Sequence, residues 1–167
     1  VLDARWAGME RVEQEDGNWI GKVEPNTLAT FGLGKMWLED HIIRLNIKMD
    51  YAPDSWVEVA DLRFRNENAK GKVMLYQKAD KSISRLYFAT VGQSPELWYS
   101  CDLPVDHPAF LGQWFFLKVE VKDQSVRIYL NQEQTPDIEA EGFTLANAAL
   151  AFKPFATTLY IDNLIIS

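Results

Sequence analysis

Cysteine is nearly absent: Cys101 is the only one in 167 residues. No disulfide can form within the chain, and no cysteine-rich metal site can exist. Histidine is almost as scarce, with His41 and His107 far apart and outside any metal or protease motif. No apolar run approaches the roughly 20 residues that a membrane-spanning helix needs, so membrane insertion is not expected. Positive charge is in deficit, with 17 Lys and Arg against 24 Asp and Glu, a net charge of −7 and a pI near 4.8. That balance argues against nucleic acid or an anionic membrane as the main partner, since both demand a basic face. Neutral sugars, cations and basic partners remain open. No long stretch carries an apolar stripe at 3.6-residue spacing, and the best helical candidate is a single turn around residues 107–111.

What the chain has in quantity is aromatic and alternating sequence. Hydrophobic residues make up 47% and aromatics 13%, including six Trp, six Tyr and nine Phe, a composition that folds around a substantial core. With no repeat, low-complexity tract or linker, residues 1–167 read as one domain. Period-two runs predict strands at 10–14, 19–23, 41–49, 56–65, 72–78, 83–91, 96–101, 115–121, 126–130, 149–152 and 158–166. Gly, Pro, Asn, Asp and Ser punctuate the breaks, as in Glu15-Asp16-Gly17-Asn18 and Ala52-Pro53-Asp54-Ser55. The clearest pair is WFFLKVEVKDQSVRIYLN, a hairpin pivoting on Lys122-Asp123-Gln124-Ser125, with Leu117, Val119, Val126 and Ile128 inward. Short strands at this spacing predict an all-β sandwich or barrel. The run at 56–65 changes parity, Val57 and Val59 giving way to Leu62 and Phe64. A β-bulge near Ala60-Asp61 accounts for that change.

Three segments in order carry a resemblance. ADLRFRNENAKGKVMLYQKAD (60–80) is similar to a strand, polar turn and strand, GQWFFLKVEVKDQSVRIYLNQE (112–133) to a "Gly-x-Trp, strand, turn, strand, Asn-Gly" hairpin, and TTLYIDNLIIS (157–167) to a closing strand of the form aromatic-x-Asp-Asn. Gln132 stands where the hairpin pattern has Gly. Together they resemble the concanavalin A-like (laminin G-like) jelly-roll domains of carbohydrate-binding and carbohydrate-active proteins, over about residues 42–167. The resemblance implies a jelly-roll β-sandwich of two antiparallel sheets, and a bacterial protein that is secreted, periplasmic or at the cell surface. The fold hosts binding modules, hydrolases, lyases and adhesion domains, so it does not choose among them.

Glycoside hydrolysis needs two carboxyl groups about 5–10 Å apart. The candidates are Glu39 with Asp40, Glu58 with Asp61, and Glu139 with Glu141. Adjacent residues on a strand point to opposite faces, and a three-residue offset shares a face only across a bulge. Glu139 and Glu141 lie in what reads as a surface connection. All three pairs read as solvated surface acids, which leaves no positive case for an enzyme. Cys101 reads as a small buried or edge residue. In sandwiches of the resembled family the closing-strand Asp, here Asp162, either caps nearby backbone or joins a structural Ca²⁺ site. Asp3, Glu10, Glu24 and Asp50 are the available oxygen donors for such a site; backbone capping is the favoured reading.

Among the tryptophans, Trp114, Trp6 and Trp19 read as structural, the last two covering the core. If Leu97, Tyr99 and Cys101 point inward, Trp98 and Ser100 point outward, beside Arg85 and Tyr87 on the preceding strand. Tyr76, Arg63 and Arg65 join from the neighbouring pair, and Trp56 follows the Pro53-Asp54 turn. Flat sugar faces stack on aromatic rings while charged neighbours read the hydroxyls. The expected function is therefore glycan binding through Trp98, Arg85, Tyr87, Tyr76, Arg63, Arg65 and Trp56. A glycan-cleaving enzyme of the same fold is the first alternative, and a protein-interaction or adhesion domain the second.

Overall fold

The computed structural model describes residues 6–31, 40–63, 70–92, 95–141 and 149–167. These residues form strands β1 (Trp6–Ala7), β2 (Glu10–Glu13), β3 (Trp19–Val23), β4 (Ala29–Phe31), β5 (His41–Met49), β6 (Val57–Arg63) and β7 (Lys70–Gln77). The chain continues through β8 (Ser84–Val91), β9 (Trp98–Asp102), β10 (Phe115–Lys122), β11 (Ser125–Leu130), β12 (Ile138–Glu141), β13 (Ala149–Pro154) and β14 (Leu159–Ile166). They assemble into two antiparallel sheets, ordered β1-β4-β13-β6-β7-β8-β9 and β12-β11-β10-β5-β14-β3-β2. The result is the jelly-roll β-sandwich of two antiparallel sheets that the resemblance implies. No helix among the described residues is long and apolar enough to cross a membrane.

Period-two patterning builds the core directly. On β5, His41, Ile43, Leu45, Ile47 and Met49 are buried, while the residues between them are partly exposed. Side chains that alternate faces put all five on one side of the strand. Across the sandwich Ile43, Leu45, Ile47 and Met49 join Val73 and Leu75 of β7 and Leu86 and Phe88 of β8 in one apolar cluster. The expected hairpin is β10–β11, with Leu117 opposite Leu130 and Lys122 opposite Ser125. Asp123 and Gln124 are left as a two-residue turn, with Asp123 at φ +52°. After β11, Asn131 takes φ +58° and locks to Phe116: its N–H donates to the Phe116 carbonyl at 2.9 Å, and its Oδ1 accepts from the Phe116 N–H at 2.8 Å. Asn adopts the left-handed region readily, so the glycine that the hairpin pattern expects one position later is not required.

Several expectations are corrected. Residues 138–141 are strand β12, paired with β11, and not a surface connection; Ile138 and Ala140 are buried there, and Glu139 and Glu141 exposed. β1 and β4 are two and three residues long, too short to show a period. Trp19 does not cover the core: it is 45% exposed, with the Arg11 guanidinium 4.4 Å above its ring. The expected helical turn is a 3-10 turn at Pro108–Phe110, capped by His107 Nδ1, which accepts from the Ala109 N–H at 3.2 Å.

Candidate functional site

The sheet containing β6, β7, β8 and β9 turns one face into the core. The other face can be read from cross-strand partners, which share a side of the sheet. Three rows emerge. Tyr76 stands opposite Arg85, which stands opposite Asp102. In the next row, Glu58 is opposite Met74, Met74 opposite Tyr87, and Tyr87 opposite Ser100. The third runs Asp61, Lys72, Ala89, Trp98. Leu97, Tyr99 and Cys101 pack against the core, so Trp98 points outward as the alternation requires.

Four rings converge on this face. Trp56 stacks on Tyr76 with centroids 4.6 Å apart and planes inclined by 25°. Tyr87 lies 4.9 Å from Trp56, and Trp98 meets Tyr87 edge-on at 6.3 Å and Trp56 at 6.4 Å. Trp98 is 55% exposed and Trp56 40%, so the cluster offers solvent a wide apolar surface. Trp56 is aimed by the turn before it. The Tyr51 hydroxyl accepts from the Gln77 N–H at 2.7 Å and lies 2.9 Å from the carbonyls of Ser55 and Gln77. Asp54, at φ +61°, accepts from the Ala79 N–H at 3.0 Å. Both contacts clip the 51–55 turn to the end of β7.

Arg85 borders the cluster but is not a free cation. Its Nε donates to Asp102 Oδ1 at 2.6 Å, and that bond, with a weaker one to Tyr87, holds its pKa above the ordinary guanidinium value. Burial, followed by the nearby Asp54 carboxylate, pushes the Tyr76 hydroxyl upward. Arg65 and the side chain of Arg63 lie outside the described residues, so their expected part in the site is not described.

The acids of β6 are not where the sequence reading puts them. The register between β6 and β7 shifts between Glu58 and Ala60, which makes Val59 the extra residue of a β-bulge. The bulge falls just before the predicted position. It turns Glu58 and Asp61, three apart in sequence, onto the same face of the sheet. Neither is a solvated surface acid, for Glu58 is 2% exposed and Asp61 1%. Glu58 Oε1 is ion-paired to the Lys72 ammonium, while its Oε2 is buried and accepts no hydrogen bond from the described residues. Sequence reasoning missed Lys72 and Met74 as parts of this face, although Lys70, Lys72, Met74 and Tyr76 alternate with Gly71, Val73 and Leu75. Glu139 pairs with Arg127 at 2.8 Å on the other sheet, and Glu39 lies outside the described residues.

No protein-family model matches the sequence, and no curated protein matches it. Solved structures do match. A carbohydrate-binding module from Bacillus subtilis aligns over 98% of this chain and 95% of its own, at 12% identity and a TM-score of 0.62. An alginate lyase from Klebsiella pneumoniae aligns over 94% of this chain and 83% of its own, at 11% identity and a TM-score of 0.62. The catalytic domain of an endo-1,3-β-glucanase (laminarinase) from Thermotoga petrophila RKU-1 aligns over 96% and 75%, at 12% identity and 0.60. The likeness is one of fold. At such identity it establishes the sandwich and assigns no role to any residue.

Asp162 sits at a register shift in β14, where its Oδ1 accepts from the Asn163 N–H at 2.8 Å and Asn163 takes φ +52°. Glu24 is paired with Lys22 at 2.5 Å, and Asp3 lies outside the described residues. No group of three His, Cys, Asp or Glu able to hold a metal occurs among the described residues. Trp114 is 40% exposed, with the Lys48 ammonium 5.7 Å from its ring. A depression of about 380 Å³ at the hairpin turn is lined by Lys122, Asp123, Gln124, Ser125, Arg127 and Glu141. It lies on the other sheet from the aromatic cluster, and its lining offers no ring for stacking. Cys101 is a free thiol packed against the core, its pKa raised by burial.

Proposed function

We propose that the protein is a carbohydrate-binding domain, secreted, periplasmic or displayed at a cell surface, that holds a glycan against the outer face of β7, β8 and β9. The observation that carries this reading is the convergence of Trp56, Tyr76, Tyr87 and Trp98, with both indoles substantially open to solvent. Exposing large aromatics together is unfavourable unless they have an occupant, and sugar rings present C–H faces that fit them. Arg85, oriented by Asp102, supplies a directional donor at the cluster's border. The fold shared with a carbohydrate-binding module and with polysaccharide-active enzymes supports the reading by analogy. The test is a glycan array of neutral and acidic oligosaccharides, followed by titration calorimetry of the hits. Binding that is lost in Trp98→Ala supports the proposal; an empty array with correctly folded protein refutes it.

A second reading, glycan cleavage, gains one observation: the Val59 bulge sets two carboxylates, Glu58 and Asp61, on the same face as the rings. Release of shorter products from an array hit, abolished by Glu58→Gln or Asp61→Asn, would decide for the enzyme.

A further inference from the structure

Glu58 and Lys72 form an ion pair whose two halves are unequally covered. The Glu58 side chain is 3% exposed and the Lys72 side chain 21%. Taking both charges out of water is costly, and a purely structural pair offsets that cost by filling its remaining lone pairs with donors. Glu58 does not, because Oε2 is buried with no donor among the described residues. A carboxyl group that leaves one oxygen unfilled in a covered place is the kind of unsatisfied group that calls for a partner.

The position of the pair suggests what that partner is. Met74 alone separates Glu58 from Tyr87 across β7, and Ala89 alone separates Lys72 from Trp98 across β8. Two strand spacings amount to about 10 Å, so an oligosaccharide lying on the rings would also pass over the pair. Glu58 offers an acceptor and Lys72 a donor side by side, which matches neighbouring hydroxyls on a neutral sugar. The charges of Arg85 and Lys72 are already met by Asp102 and Glu58, so neither is a free counter-charge for an acidic sugar.

Building on the glycan-binding reading, we infer that Glu58 and Lys72 form a polar subsite for a neutral sugar. The free Glu58 oxygen accepts a hydrogen bond from one hydroxyl, and the Lys72 ammonium donates one to its neighbour. Entry of the sugar draws the flexible Lys72 stem aside and exposes Oε2. Glu58 is thereby a specificity-determining residue, whereas the aromatic rings supply sequence-tolerant stacking.

The test uses cellohexaose and laminarihexaose with the full chain. Titration calorimetry gives the affinity, and carbon-13 NMR of glutamate carboxyl groups follows Glu58, whose signal is identified by its loss in Glu58→Gln. The expected results are about five- to tenfold weaker binding in Glu58→Gln, from exchanging a charged for a neutral hydrogen bond, and a Glu58 carboxyl shift that saturates with the calorimetric curve. Should Glu58→Gln fold poorly, Lys72→Gln identifies the signal by its displacement and is expected to bind severalfold more weakly. An unmoved carboxyl signal, or undiminished affinity in both variants, overturns the subsite. Loss in Trp98→Ala alongside those outcomes leaves glycan binding standing while the subsite falls. Binding confined to acidic glycans also sinks the subsite, whereas a wholly empty array removes the reading beneath it. Release of shorter sugars by the wild type that stops in Glu58→Gln moves Glu58 into catalysis and overturns its assignment as a binding residue.

Discussion

Trp56 lies against Tyr76 with 4.6 Å between ring centroids, while Trp98 touches the same cluster only edge-on and stays more exposed. The two tryptophans therefore divide stability and binding differently. Trp98→Ala should reduce glycan affinity at least tenfold and move the melting temperature by no more than about 2 °C. Trp56→Ala should lower both, because stacked aromatic pairs contribute about 0.5–1.5 kcal/mol beyond their buried area and its turn loses a packing partner. Paired calorimetry and thermal melts of the two variants check this; equal melting losses would mean that Trp98 is structural.

The aim of Trp56 depends on Tyr51, whose hydroxyl accepts from the Gln77 N–H and faces the Ser55 carbonyl. Tyr51→Phe leaves the ring against Phe110, where the centroids are 5.0 Å apart, and removes only the hydroxyl. The Gln77 N–H then loses its partner, which costs about 1–3 kcal/mol and lowers the melting temperature by roughly 2–12 °C in a chain of this size. Affinity should fall about two- to fivefold through a less fixed Trp56. A melting curve unchanged from wild type would show that the clamp does not order the turn.

Acid should weaken the fold through His107. Burial between Phe110 and Phe115 lowers its pKa below the usual imidazole value of 6.5, against the opposing pull of Asp137 and Asp106. Its Nδ1 also accepts the Ala109 N–H, which protonation would forbid. The unfolded chain thus takes up this proton first as pH falls. The contribution is complete above pH 6.5 and declines from there toward the lowered folded value, with a slope of at most about 1.4 kcal/mol per pH unit. His107→Asn keeps a capping acceptor without titrating. Stability measured by urea unfolding between pH 7.5 and 5 should fall less in His107→Asn than in wild type; parallel curves would contradict the assignment.

The fold was legible in this sequence wherever alternation ran long enough. β5 and the β10–β11 hairpin show six or more residues of strict period two, and their inward faces are those the pattern predicts. β12 offers only Ile-Glu-Ala-Glu, and β1 and β4 still less, so nothing in the local pattern separates them from connections. The aromatic cluster was legible because Trp98 and Tyr87 fall on the polar phase of their strands. What alternation cannot supply is register. The Arg85–Asp102 pair depends on how β8 aligns with β9, and those residues stand far apart in the chain. Glu58 and Asp61 were hidden for a sharper reason. Val59 continues the alternation begun by Val57 and Glu58, so the parity change shows only later in the strand, and a single inserted residue reverses the face of every side chain on one side of it.

The Glu58–Lys72 pair also predicts a stability pattern that follows from its burial. Lys72→Met leaves the Glu58 carboxylate covered and without its cation. Breaking a buried pair costs about 3–5 kcal/mol, and the partial exposure of Lys72 reduces that to about 2 kcal/mol, or roughly 4–8 °C in melting temperature. Adding Glu58→Met in the same chain removes the stranded charge and the unfilled oxygen together. The double variant should recover the loss and melt at or above the wild type, since hydrophobic replacement of a buried ion pair is often neutral or stabilising. Glycan affinity should not return with it. Recovered stability without recovered binding is the pattern of groups kept for a ligand at the expense of the fold, whereas a double variant as unstable as Lys72→Met would make the pair a structural element of the sheet.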